Sequence, residues 1–286
     1  MIICSKILLL LLVAAAVSVS ATPPPSSVYS ELLDESDVKG DYNKPLPISY
    51  IDPGDLPAAF SWGNHQNRSF LTRMLNQHIP QYCGSCWAHA AISVFQDRIK
   101  IARHAQGEDI GLSIQYILNC GRSTGSCHGG TILKTFKFIR EESGFIPYET
   151  CQPYLACSHD SEEGFCPHVD TTCTKLNTCR TCDTFVEDGG TCREIDIMPN
   201  ATVAEYGVYN RNDYKSQDLF VQAVKAEILA RGPVGVALNG HGLANYTGGV
   251  YDDTSQPTHH THAVSITGWG TNQETGQEYW IVRNSW

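Results

Sequence analysis

From Cys86 to Arg103 the apolar residues Ala88, Ala91, Ile92, Phe95, Ile99 and Ala102 fall three and four apart, while Gln96, Asp97, Lys100 and Arg103 take the other side. That spacing predicts an amphipathic helix opened by a cysteine. Ser113 reads as the cap of a short helix to Asn119. Ile132, Leu133, Phe136 and Ile139 predict another over Thr131 to Glu142, stopped by Gly144. After a helix over Asp218 to Arg231, ended by Gly232-Pro233, the pattern turns β-like at Val234 to Leu238, His262 to Trp269 and Tyr279 to Arg283. A mainly helical first lobe and a mainly β second lobe follow, an α+β arrangement. Between them, Cys151 to Cys192 holds seven cysteines and few aliphatic residues. It is expected to be loop-rich, held by bridges rather than a core, with no regular sheet.

The ends change the picture. Lys6, the apolar run Ile7 to Val19 and small residues to Ala21 have the form of a secretory signal peptide over 1–21, too short for a membrane span. Thr22 to Asp55 is rich in Pro, Ser and acidic residues without apolar periodicity and reads as a short pro-segment, with maturation near Leu56 and a two-lobed unit over 56–286. A lysosomal or secreted location, no membrane span and a monomer are expected. A formal charge of -10 argues against a nucleic-acid partner, which draws on clustered Lys and Arg. Of twelve cysteines, Cys4 leaves with the leader, and the odd remainder leaves one thiol unpaired in an oxidising compartment. Asn67, Asn200 and Asn245 each open a glycosylation pattern.

Cys86 is the candidate for that thiol. The thiolate is the attacking species, and a free cysteine near pKa ~8.5 is mostly protonated in acid, so the site must lower it. A helix N-terminus and a facing imidazolium both act in that direction. His262 is the candidate partner, heading its strand from the other lobe. Asn284 could accept a hydrogen bond from the imidazole, and Trp286 could shield it. Gln77, with the Cys86 backbone N–H, would donate to the oxyanion, where losing one donor typically costs ~3–4 kcal/mol. No cofactor is implied.

Cys83-Gly84-Ser85-Cys86-Trp87-Ala88, Cys127-His128-Gly129-Gly130, the His262 strand and Asn284-Ser285-Trp286 resemble the papain family of cysteine peptidases, over Leu56 to Trp286. The resemblance implies a papain-like two-lobe fold: a helical left lobe, a β-barrel-like right lobe and the active site in the cleft between. It also implies substrate-backbone binding at Gly129 and Gly130, and bridges Cys83–Cys127 and Cys120–Cys157. The pairing of Cys151, Cys166, Cys173, Cys179, Cys182 and Cys192 stays open. The chain stops before the glycine-rich strands that normally complete the right lobe, so truncation is expected.

Family members commonly have two residues between the glutamine and the first cysteine; here His78, Ile79, Pro80, Gln81 and Tyr82 intervene. This insertion is similar to that of the cathepsin X (cathepsin Z) group and implies a cysteine-type carboxypeptidase. A loop stiffened by Pro80 would close the primed side, and a protonated His78 would pair with the terminal carboxylate of a peptide or protein substrate. Such a bond is worth ~1.5–3 kcal/mol, roughly 10- to 150-fold. In that group a pro-segment cysteine can cap the thiol; Thr22 to Asp55 has none, so a non-covalent block by the chain's own pro-segment is expected. The alternatives are a papain-like endopeptidase, a dipeptidyl-type exopeptidase, or an inactive homologue acting as a binding protein.

Other features read as structural. Cys83-x-x-Cys86 lacks the βαβ surroundings of a redox pair, Cys179-x-x-Cys182 reads as disulfide rather than half a zinc site, and His259 and His260 as loop residues beside a catalytic His262. His89 reads as packed within its helix. Lys39-Gly40-Asp41, an integrin-like tripeptide, reads as a chance turn.

Overall fold

The computed structural model describes residues 30–183, 190–252 and 259–286. The leader expected at 1–21 and the first part of the pro-segment lie outside them. Helix α1, Cys86–Ala102, is buried along most of its first ten residues and packs against helices of one lobe and strands of the other. Helix α2, Ile114–Cys120, starts where Ser113 Oγ accepts from Tyr116 N at 3.0 Å. Helix α3, Ile132–Lys137, continues as a wider π-helical turn over Phe138–Ser143 and ends at Gly144, whose φ of 77° lies in the left-handed region that glycine tolerates. Trp87, Ile92, Leu112, Ile117, Leu118, Ile139 and Ile146 form the core of this lobe.

The second lobe packs helix α4, Gln217–Arg231, on a sheet of strands β1 (Phe60–Ser61), β2 (Val234–Leu238), β3 (His262–Thr271) and β4 (Glu278–Arg283). Its core is Trp62, Phe70, Val224, Ile228, Ile266 and Trp269. Trp62 Nε1 donates to Ile228 O at 2.7 Å and Trp269 Nε1 to Pro57 O at 2.9 Å, so both indoles keep a partner on burial.

The β-barrel expected for this lobe does not form. Strand β3 carries every pairing, all antiparallel: β2 along its first half from Leu238↔His262 to Val234↔Ile266, β1 further along that edge, and β4 along the opposite edge. A barrel needs an unbroken ladder around the ring. Among the described residues no strand joins β4 back to β1 or β2, and β1 is only two residues long, so no sheet closes.

The cystine-rich region also departs from expectation. Arg180–Cys182 and Cys192–Glu194 form a small antiparallel hairpin, where Cys182 lies opposite Cys192 and is bridged to it. The structure joins Cys83 to Cys127, but Cys120 to Cys173 and Cys157 to Cys166 rather than Cys120 to Cys157; Cys151 pairs with Cys179. Cys157 and Cys166 are close in sequence, which leaves the α2 end to be tied to the more distant Cys173.

Two polar ties hold the lobes together. Arg98 of α1 donates to Glu227 Oε1 at 2.9 Å and to Pro233 O at 3.0 Å. Asp97, also of α1, is buried against Arg283 of β4 and accepts from both Thr72 N and Thr72 Oγ1 at 2.8 Å. Residues 30–55 run mostly extended over the surface, with 3-10 turns at Pro47–Ser49 and Pro53–Asp55. Within them Asp41 is fixed to Tyr206 by backbone hydrogen bonds and to Arg140 by an ion pair at 2.7 Å, which accounts for Lys39-Gly40-Asp41 structurally.

Candidate active site

Cys86 is the first residue of α1, wholly buried, and the free cysteine among the described residues. Starting α1 places its Sγ at the helix N-terminus, while Ala263 N of β3 donates to it at 3.3 Å. Ser85 and His89, one helical turn apart, bond to each other at 3.2 Å, and Ser85 Oγ also meets Tyr154 OH at 2.8 Å.

His262 opens β3 opposite Cys86. Its Nε2 lies 2.7 Å from Asn284 Oδ1, which fixes Nε2 as the donor, and the Trp286 ring covers it at 4.3 Å. The other nitrogen, Nδ1, is buried without a hydrogen-bond partner, and the ring lies close enough to Cys86 for ligand atoms of the two to fall within 4.8 Å. Gln77 is fully buried and held on three sides: its N donates to Ser285 O at 2.8 Å, its Oε1 accepts from Ser285 Oγ at 2.8 Å, and its O accepts from Tyr154 OH at 2.7 Å. With its amide oxygen engaged, Gln77 presents Nε2 to the cleft. Four side chains from three separate stretches thus bring a thiol, an imidazole, an amide oxygen against the imidazole and an amide N–H to one place, the groups that thiol-dependent acyl transfer uses.

Residues 56–286 match the profile described as papain family cysteine protease. The chain belongs to that family. It is 34% identical to a protein named cathepsin Z from Onchocerca volvulus over 81% of this chain and 66% of the relative. It is 30% identical to cathepsin B-like cysteine proteinase 6 of Caenorhabditis elegans over 81% and 59%. Among solved structures, a recombinant stem bromelain precursor shares the fold at 24% identity and a TM-score of 0.58, covering 91% of this chain and 67% of that one. The chain therefore spans about three fifths to two thirds of the length of the curated relatives named here.

In this papain-family cleft the space above the nucleophile is taken by residues 30–33. Glu31 N donates to Thr261 O at 3.1 Å on one wall; Gly130 N donates to Glu31 O at 3.2 Å and Leu33 N to Gly130 O at 3.0 Å on the other. Of Gly129 and Gly130, expected to bind substrate backbone, Gly130 here binds this segment and Gly129 lies against it. A Cβ on Gly129 would approach the Glu31 carbonyl to 3.3 Å. The Glu31 carboxylate accepts from Gln77 Nε2 at 3.1 Å and Tyr82 OH at 2.8 Å and lies 3.6 Å from His262 Nδ1. Nothing in local sequence marks Glu31, nor Ser285 and Tyr154 as the clamps of Gln77, although Ser285 lies within the Asn284-Ser285-Trp286 motif.

The electrostatics match a closed site. Burial would raise the Glu31 carboxyl, but the neighbouring His262 imidazole, the hydrogen bonds from Tyr82 and Gln77, and Cys86 outweigh it and hold it below its usual value. Burial, and then Glu31, push the Cys86 thiol up, opposite to the lowering expected from the helix end and the imidazole. Glu31, Cys86 and His262 bring ligand atoms within 4.8 Å of one another, a set of the kind that can hold zinc, but the pairing of carboxylate with imidazole accounts for the gathering without an ion. His259 and His260 are exposed and outside it.

His78 stands at the rim of the same cleft. Its ring stacks on Tyr82 at 4.8 Å, its Nδ1 is buried without a partner, and burial lowers its pKa, helped by His262 and opposed by Glu31. His89 is buried and held neutral, its pKa lowered by burial to about 4. Asn67, Asn200 and Asn245 are all exposed.

Proposed function

We propose that residues 56–286 form the peptidase and residues 22–55 its pro-segment, carried into the secretory pathway by the 1–21 leader towards a lysosome or the cell exterior. Among the described residues no helix is long and apolar enough to cross a membrane. The observation that carries the reading is His262 held between Asn284 and the Cys86 side, with Gln77 Nε2 aimed into the same space. Once the cleft opens, the Cys86 thiolate attacks the peptide carbonyl and Gln77 donates to the oxyanion. His262 protonates the leaving amine, giving an acyl-enzyme, and then takes a proton from the water that hydrolyses it.

Two scopes of cleavage rest on different observations. The relatives include several whose names say cysteine protease or proteinase without an exopeptidase specificity, which supports an endopeptidase as the broader reading. The His78-to-Tyr82 insertion, with an unpartnered His78 Nδ1 beside the site, favours removal of single residues from free C-termini. The test uses matured enzyme and three peptides: a free acid, its C-terminal amide, and a longer peptide blocked at both ends. Equal rates on all three at pH 5 establish the endopeptidase. A free-acid preference of about 10- to 100-fold that His78→Ala abolishes establishes the carboxypeptidase. Because the folded pKa of His78 is lowered, its charge, and the preference, are present in acid and fade at a pH below 6.5.

A further inference from the structure

Four acids lie close together in the segment Glu31 to Asp37, and three are used outside the cleft. Asp34 caps its own turn at Ser36 N at 3.1 Å, Glu35 accepts from Leu133 N at 2.8 Å at the start of α3, and Asp37 pairs with Lys134 at 3.2 Å. Glu31 alone of the four points inward, and it is 8% exposed. Both walls of the cleft hold its backbone, so the carboxylate is delivered to one place. That place is where Gln77 Nε2 would meet a substrate oxygen.

We propose that Glu31 is an internal carboxylate ligand of the catalytic centre, a charged plug that occupies the oxyanion pocket, stands between His262 and Cys86 and closes the site without a covalent bond. This deepens the reading of 22–55 as a pro-segment and rests on it. The pocket is built to take the group. Gln77 and Tyr82 donate to its two oxygens, and a Cβ on Gly84 would stand 3.2 Å from Glu31 Cγ, so glycine leaves room for the side chain. His262 Nδ1 flanks the carboxylate at 3.6 Å. His78, His89 and Tyr154 also sense the Glu31 charge, and Cys86 is the group on which it acts most directly. The recognition is of a carboxylate on an extended strand, so the open cleft should also accept acidic peptides of this kind.

The test reads the thiol rather than peptide hydrolysis, so it succeeds or fails independently of the enzyme's cleavage specificity. Full-length wild type, Glu31→Gln and Asp34→Asn are alkylated with iodoacetamide at pH 6, and Cys86 labelling is followed by peptide mass spectrometry, with circular dichroism melts checking that each is folded. Glu31→Gln preserves shape and removes charge; it should label about 10- to 100-fold faster than wild type, and Asp34→Asn at the wild-type rate. Since the Glu31 carboxyl is held low in the closed form, the contribution is present above the free carboxylate value and lost as pH falls through the folded one. The two rates should therefore converge only below the usual carboxylate range. Labelling of Glu31→Gln as slow as wild type in a folded protein overturns the proposal, because backbone coverage alone would then suffice. Equal acceleration by Asp34→Asn overturns it too, by making the effect one of general segment charge.

Discussion

Replacing Arg283 by Met isolates the tie between the lobes. The Asp97 side chain has no exposure and that of Arg283 has 5%, so removing the guanidinium leaves a carboxylate in a site water does not reach. Breaking one side of a buried pair costs about 3–5 kcal/mol. The two hydrogen bonds from Thr72 remain, which places the expectation near the lower end, about 3 kcal/mol at pH 7. Burial already raises the Asp97 carboxyl against the opposing pull of Arg283 and Thr72, and loss of Arg283 raises it further. A carboxyl raised in the folded state penalises folding above its folded pKa and no longer does so below its unfolded one. The defect should therefore shrink as pH falls towards 4. Urea unfolding at pH 7 and pH 4.5 measures both, with a midpoint shift of roughly 1 M at pH 7 for a slope of about 3 kcal/mol/M. Adding Asp97→Asn should recover part of the loss. A cost below about 1 kcal/mol at pH 7, or one that does not depend on pH, would refute the reasoning.

Two further outcomes follow from the site. Asn284→Ala removes the 2.7 Å bond that orients His262; kcat/KM of the matured enzyme should fall about 10- to 150-fold, and an unchanged value would show that Trp286 packing alone holds the ring. His89, neutral in the fold with a pKa of about 4, binds a proton in the unfolded chain first as pH falls below 6.5, so stability is lost between those values, by about 3 kcal/mol. Chemical denaturation of His89→Gln across that range should show a correspondingly flatter profile, and a slope as steep as that of wild type would contradict the assignment.

The side chains that gather at the candidate site were legible because local sequence carries them. Cys86 opens the clearest amphipathic helix in the chain, His262 heads an apolar β run, and Gln77 stands at a set distance before the cysteines. The strand Val234–Leu238 was likewise bounded correctly by its own pattern. What stayed hidden is settled by contacts between distant residues. Whether β4 curls back to β2 is a matter of ladder continuity, which apolar alternation within each strand does not report. The choice of Cys173 over Cys157 as the partner of Cys120 depends on where the loop places each sulfur. Glu31 looks like its acidic neighbours in sequence and differs from them only through Thr261, Gly130 and Gln77.

The hydrogen bond from Trp269 to the Pro57 carbonyl bears on how far the chain can be shortened from its N-terminal side. Trp269 is 2% exposed and sits in the second core, and Phe60 and Ser61, three and four residues beyond Pro57, are already paired to its strand. Trimming that stops before Pro57 keeps the indole N–H satisfied and the edge strand in register. Trimming past it strands a buried donor and loosens the edge, at a cost of about 1–3 kcal/mol for the donor alone. A single indole thus works as a ruler, marking the shortest N-terminus this lobe tolerates without charge.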